Sequence, residues 1–176
     1  MPADPFRLRV LKGLTAALAR ITPENGCVND LSPYLDEGGT MRPRVFRGRD
    51  LFGQGDPLPM ISILEHPRAL EQMQSGGGAA ASTGKWELLI QGFVTDDPEN
   101  PTDPAHVLAA EAIAILAAER ARSNNVLGLG FRSPCVTSIE IGQPIVRPAD
   151  GAISTQAFFI LSIVLTLVED LSDPFA

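Results

Sequence analysis

The twelve residues from Ala157 to Val168 are the most apolar stretch of the chain, broken only by Ser162 and Thr166. A helix needs roughly 20 apolar residues to cross a bilayer, so this run is too short to span one. It reads instead as part of a strand from Thr155 to Asp170 that is apolar on both faces over much of its length. Such a strand must be hidden on both sides, either at the centre of a sheet or under a neighbouring subunit. Whatever else the chain forms has to be arranged around it.

The N-terminal segment predicts an amphipathic helix. Asp4 is placed to cap it, and Pro5 to take the first helical position, where a missing N–H costs nothing. Phe6, Val10, Leu11, Leu14, Leu18 and Ile21 then recur at spacings of three and four, one apolar stripe. Thr22-Pro23 stops the pattern, and Gly26 suits a left-handed turn. A second helix is expected from Ala105 to about Arg122, introduced by the same Asp103-Pro104 device, with many alanines that permit close packing on a sheet.

Strand signals fill the rest. Arg44 to Phe52 alternates moderately, Met60 to Leu64 is a short apolar piece, and Trp86 to Val94 reads as a buried strand. Val136 to Arg147 and the final strand are expected to be joined by a turn at Pro148-Ala149-Asp150-Gly151. Ser75 to Gly84 carries three consecutive glycines and predicts a flexible hairpin tip. The expected architecture is one α+β domain over residues 1–176, two main helices packed on a mostly antiparallel or mixed sheet.

Composition narrows the function classes. A net charge of −7 argues against a generic nucleic-acid binder, which needs clustered Lys and Arg to neutralise phosphate. Cys27 and Cys135 form no CxxC pair, and two cysteines in 176 residues favour a reduced, intracellular setting over a disulfide scaffold. Charged residues interleave with the apolar ones near the N-terminus, so no signal peptide and a soluble protein are expected.

The sequence carries little recognisable chemistry. His66 and His106 lie 40 residues apart, without the further ligands that zinc requires. Asp96, Asp97, Glu99 and Asp103 surround Pro98 and Pro101 but lack the ligand spacing and central glycine of a calcium loop; they read as a turn feeding a helix. Gly128-Leu-Gly130 is no dinucleotide fingerprint, and there is no Walker loop or GxSxG elbow. No catalytic, cofactor-binding or metal-binding residue is therefore assigned. The candidate interface residues are Arg42, Arg44, Phe46, Arg47 and Arg49, with Asp96, Asp97 and Glu99 as a possible complementary face. The basic strip also reads as an edge strand whose charges discourage aggregation.

Four groups of residues carry a resemblance: Ile21-Thr-Pro-Glu-Asn-Gly26; Val45-Phe-Arg-Gly-Arg49 running on to Leu51-Phe-Gly53 and Asp56 to Glu65; Trp86 to Val94 continuing into Asp96-Asp-Pro98 and Asn100 to His106; and Ile139 to Gln143, Val146 to Pro148 and Val168 to Leu171, near Pro174-Phe175. Together they resemble the tail terminator (tail-completion or minor tail) proteins of long-tailed bacteriophages, over nearly the whole chain. The resemblance implies a small subunit of a hexameric ring at the head-proximal end of the tail. That ring stops polymerisation of the tail tube protein and docks the head-completion (neck) protein. It also implies a virion protein assembled in the host cytoplasm, without cofactor, membrane or catalytic residue, through whose lumen genomic DNA passes without specific binding. Two alternatives remain open: a head-completion or connector ring protein, and a small cytoplasmic enzyme or ligand-binding domain.

Overall fold

The computed structural model describes residues 4–52, 55–66, 74–75, 81–149 and 156–175. Among these residues two α-helices, α1 (Phe6–Leu18) and α2 (Asp103–Ala121), accompany nine strands: β1 (Tyr34–Leu35), β2 (Met41–Arg42), β3 (Val45–Arg47), β4 (Met60–Glu65), β5 (Gln74–Ser75), β6 (Ala81–Val94), β7 (Cys135–Ile141), β8 (Ile145–Arg147) and β9 (Ala157–Asp170). β1 and β2 form a separate small hairpin. The other seven make one mixed sheet in the order β3-β4-β6-β9-β7, with β5 beside β6 and β8 beside β9. Only the β3–β4 pair is parallel. The α+β class expected from the sequence is the one observed.

The apolar strand is central. β9 pairs with β6 along all fourteen residues, from Ala81↔Asp170 to Val94↔Ala157, and its other edge is taken by β7 and β8. Its odd-numbered residues from Ala157 to Leu167 are buried against Leu88, Ile90 and Trp86 of β6 and against both helices. α1 contributes Phe6, Val10, Leu14, Ala17 and Leu18 to this core. α2 contributes Ala105, Leu108, Ala109, Ala112 and Leu116, so its small residues let it lie close to the sheet. One close approach is decided by glycine: Gly92 sits opposite Phe159, and a Cβ there would lie 2.1 Å from Phe159 Cε1.

Several expectations are corrected. Asp4 does not cap α1; Pro5 is the N-cap residue, Asp4 pairs with Lys12, and the Phe6 N–H donates to Pro174 O. The first turn is thus closed by the distant C-terminal segment. Asp103 does not cap α2 either, because Thr102 holds the N-cap position without a side-chain bond. Gly26 does take a left-handed conformation, with φ +82°. The long strand expected from Arg44 to Phe52 is only β3, since the chain leaves the sheet at Gly48 (φ +65°). Val136 to Arg147 is two strands, β7 and β8. The Gly142 N–H donates to Ser162 O, and Pro144 cannot donate to a ladder.

β6 begins at Ala81, five residues earlier than the apolar pattern suggests, because β9 extends far enough to pair with it. Part of the expected Gly-rich tip is therefore strand: Ser75 belongs to β5 and 81–84 to β6, with Ser75 paired to Ser82, while 76–80 lie outside the described residues. Of the turn expected at 148–151, only Pro148 and Ala149 are described.

Candidate assembly surfaces

Both helices pack on one face of the sheet. The opposite face is defined by the even-numbered residues of β9 and the positions paired with them. At one end it is covered by the chain after β3. There Met60, Phe93 and Phe158 form a second buried cluster, flanked by Phe46, Phe52, Leu58 and Ile160. The Phe52 and Phe93 ring centroids are 4.8 Å apart. Ser62, fully buried on this face, donates its hydroxyl to Arg49 O at 2.5 Å and ties the covering segment down.

Beyond that cover the face is open. Leu64, Leu89 and Ser162 form one row across the strands, followed by Glu87, Val164 and Glu140, then Lys85, Thr166 and Ser138, then Thr83, Val168 and Cys135. Leu64, Leu89, Ile160, Val164 and Val168 are half-buried, and Ile145 on β8 is 54% exposed. These aliphatic groups come from four strands and are interleaved with polar ones: Val164 lies between Glu87 and Glu140, and the row Lys85-Thr166-Ser138 separates it from Val168. The polar groups bond to one another across the strands: Lys85 Nζ lies 3.2 Å from Glu140 Oε1, and the Ser138 hydroxyl donates to Thr166 Oγ1 at 2.9 Å. Glu87 Oε2 is shielded from solvent and has no hydrogen-bond partner among the described residues. Unpartnered carboxylate oxygens of this kind are uncommon in folded proteins.

The residues singled out in the sequence have distinct fates. Arg42 pairs with Asp36 at 2.8 Å, which holds the Asp36 carboxyl below its ordinary value. Arg44 donates to Leu58 O at 2.8 Å and stacks over Tyr34. Arg49 pairs with Asp56 at 2.5 Å and lies over both Phe46 and Phe52. These three arginines and Phe46 are therefore occupied inside the subunit. Arg47 is exposed and reaches only Thr15 Oγ1, at 3.3 Å, among the described residues. In the acidic segment, Asp96 accepts from the Ala157 N–H and anchors the start of β9. Asp97 Oδ1 accepts from the N–H groups of Glu99 and Asn100, at 2.9 and 2.6 Å. Glu99 is exposed. Among the described residues no ion pair or hydrogen bond joins the basic strip to the acidic segment.

A buried carboxylate not anticipated from the sequence is Glu119, on the inner side of α2. It accepts from Arg20 Nη2 at 2.7 Å, Arg122 Nη1 at 3.0 Å and the Leu127 N–H at 3.1 Å. Only its position in line with Ala105, Leu108, Ala112 and Leu116 could have marked it. A shallow cleft of about 160 Å³ lies beside this clip. Among the described residues no group of three or more His, Cys, Asp or Glu is placed to hold a metal, and no helix is long and apolar enough to cross a membrane.

A larger cleft, about 340 Å³, opens at the start of α2. Val28, Pro104 and Val107 form its apolar wall, and Asp97, Asn100 and Asp103 its polar one. Glu111 supports the wall from behind by accepting from the Val28 N–H at 2.5 Å and from Asn29 Nδ2 at 2.7 Å. The chain matches no protein-family model and no curated protein sequence.

Proposed function

We propose that this chain is a tail terminator subunit: it assembles with copies of itself into a ring that caps the head-proximal end of a phage tail tube. The observation that carries this reading is the open sheet face. Its half-buried aliphatic residues Leu64, Leu89, Ile160 and Val164, with the exposed Ile145, support a surface that a partner protein covers. In this reading the partner on that face is the tail tube protein, and the head-completion protein meets another side of the ring. The resemblance suggests the class of partner, and the aliphatic residues of this face support it as the side that partner would cover.

The test has two parts. The native mass of the purified protein is expected to include a species near six times 18.8 kDa. Added to polymerising tube protein, it is expected to shorten the tubes and to be found at one end of each. The Leu89→Glu, Val164→Lys double variant changes only half-buried positions of the open face. It should keep its native mass and lose the capping. Unchanged tube lengths with the unmodified protein would refute the terminator reading. Undiminished capping by the double variant would refute the assignment of the face.

A further inference from the structure

The two ends of α2 are unlike in a way that complements. At its N-terminal end lies the cleft walled by Val28, 80% exposed, with Pro104 and Val107, and bordered by Asp97 and Asp103. No Lys or Arg occurs between Lys85 and Arg120, so no basic residue of that long segment offsets this acidic wall. Beyond its C-terminal end the chain presents Phe131, 67% exposed, with the Arg132 guanidinium 5.8 Å from its ring. Arg120 and Arg122 add positive charge at the same end, while Glu119 is the one carboxylate of residues 112–132. Charge arranged this way also complements the helix dipole within the subunit. Dipole compensation gives no reason, however, for an exposed phenyl ring at one end and an exposed valine-lined cleft at the other.

We infer that the cleft at the start of α2 receives Phe131 and Arg132 of a second copy of this chain, joining subunits head to tail. The ring covers Val28 and Val107, and the guanidinium meets Asp97 and Asp103. The nineteen-residue helix is about 28 Å long, with the cleft at its start and Phe131 in the chain beyond its end. One subunit can therefore offer its cleft and its Phe131 to different neighbours at once. A contact between unlike surfaces is heterologous, and it closes into a ring or continues as a filament; it does not stop at a dimer. The proposal rests on the self-assembly part of the terminator reading and not on the tail tube.

The experiment uses the full chain in a Cys27→Ala background, Cys135 being buried. Val107→Cys and Phe131→Cys are introduced singly and together, and each protein is treated with a short bismaleimide. The double variant is expected to give a covalent ladder, and each single variant none beyond monomer. In parallel, Phe131→Ser should raise the concentration needed for self-association by about tenfold or more, with an unchanged melting temperature. No ladder, at concentrations where the unmodified protein is oligomeric, would overturn the contact while leaving a ring possible through another surface. Cross-linked dimers from either single variant would overturn it in favour of a symmetric contact. Absence of both ladder and oligomer would remove the contact and the ring together. A ladder from a protein that fails to cap tubes would keep the contact and end the tail reading.

Discussion

Replacing Glu119 by Gln tests whether one buried carboxylate holds three parts of the fold in register. Glu119 is 2% exposed and lies where α2, Arg20 just beyond α1 and the turn at 126–128 converge. That turn is strained: Leu127 has φ 55°, a region costly for a branched side chain. The buried Leu127 N–H has Glu119 Oε2 as its acceptor. Gln has the same shape but only one acceptor oxygen. If that oxygen faces Leu127, the amide NH₂ faces two guanidinium groups; if it faces the arginines, the NH₂ opposes the Leu127 N–H. Both arginine side chains are nearly half exposed, so weakening each ion pair costs about 0.5–1 kcal/mol, well below the value for a fully buried pair. Opposed donors in a buried position add about 1 kcal/mol more, giving a loss of about 2–3 kcal/mol. For a domain of this size that lowers the melting temperature by about 4–12 °C, measurable by calorimetry together with urea unfolding. Arg20→Ala and Arg122→Ala should each cost about 1 kcal/mol or less, because water replaces the exposed guanidinium. The reasoning fails if Glu119→Gln is neutral, or if either alanine variant costs as much as it does.

Two further outcomes are expected. Gly92→Ala places a methyl group where the Phe159 ring lies, and the strand pairing leaves that buried ring little room. The variant should lose about 3 kcal/mol or more, with Phe159→Leu added to it recovering part of the loss, as read by denaturant unfolding. The Asp36 carboxyl is held below its ordinary value of 3.8, first by the Arg42 side chain and then by the Thr40 N–H. A depressed folded-state value stabilises above pH 3.8 and is lost as pH falls toward that lowered value. The β1–β2 hairpin should therefore loosen in acid, seen as collapse of amide protection at Gly38 and Thr40. Asp36→Asn should show the loosened hairpin at every pH, and a hairpin equally protected in that variant would refute the assignment.

The elements differ in how far they could be read along the chain, and the differences have physical causes. α1 was legible because its stripe at three- and four-residue spacing is a property of the helix alone, and Phe6, Val10, Leu14 and Leu18 are the residues found buried. Its cap was not, because the group satisfying the first turn is Pro174 O, 168 residues away. The placement of β9 was legible as a pair of alternatives. A strand apolar on both faces must be central or covered, and only the flanking strands decide between them. Arg42, Arg44 and Arg49 looked like an available basic strip because sequence shows charge without partners. Their partners Asp36, Leu58 O and Asp56 come from loops folded back over the sheet. Val28, Val107 and Phe131 were not marked as surface residues at all, since an exposed apolar side chain has the same letter as a buried one.

The sequence by itself determined the class of the fold, the two helices, a final strand apolar on both faces and the absence of an obvious catalytic motif. Each of these follows from residue type and local periodicity, which neighbouring residues can enforce. Only the tertiary structure decided that both helices cover the same sheet face, leaving the other open. The same is true of Glu119, which becomes the meeting point of Arg20, Arg122 and Leu127, and of the two ends of α2, which carry complementary surfaces. Those features depend on which distant segments come together, and burial is a property of the assembled neighbours rather than of the chain that contributes them.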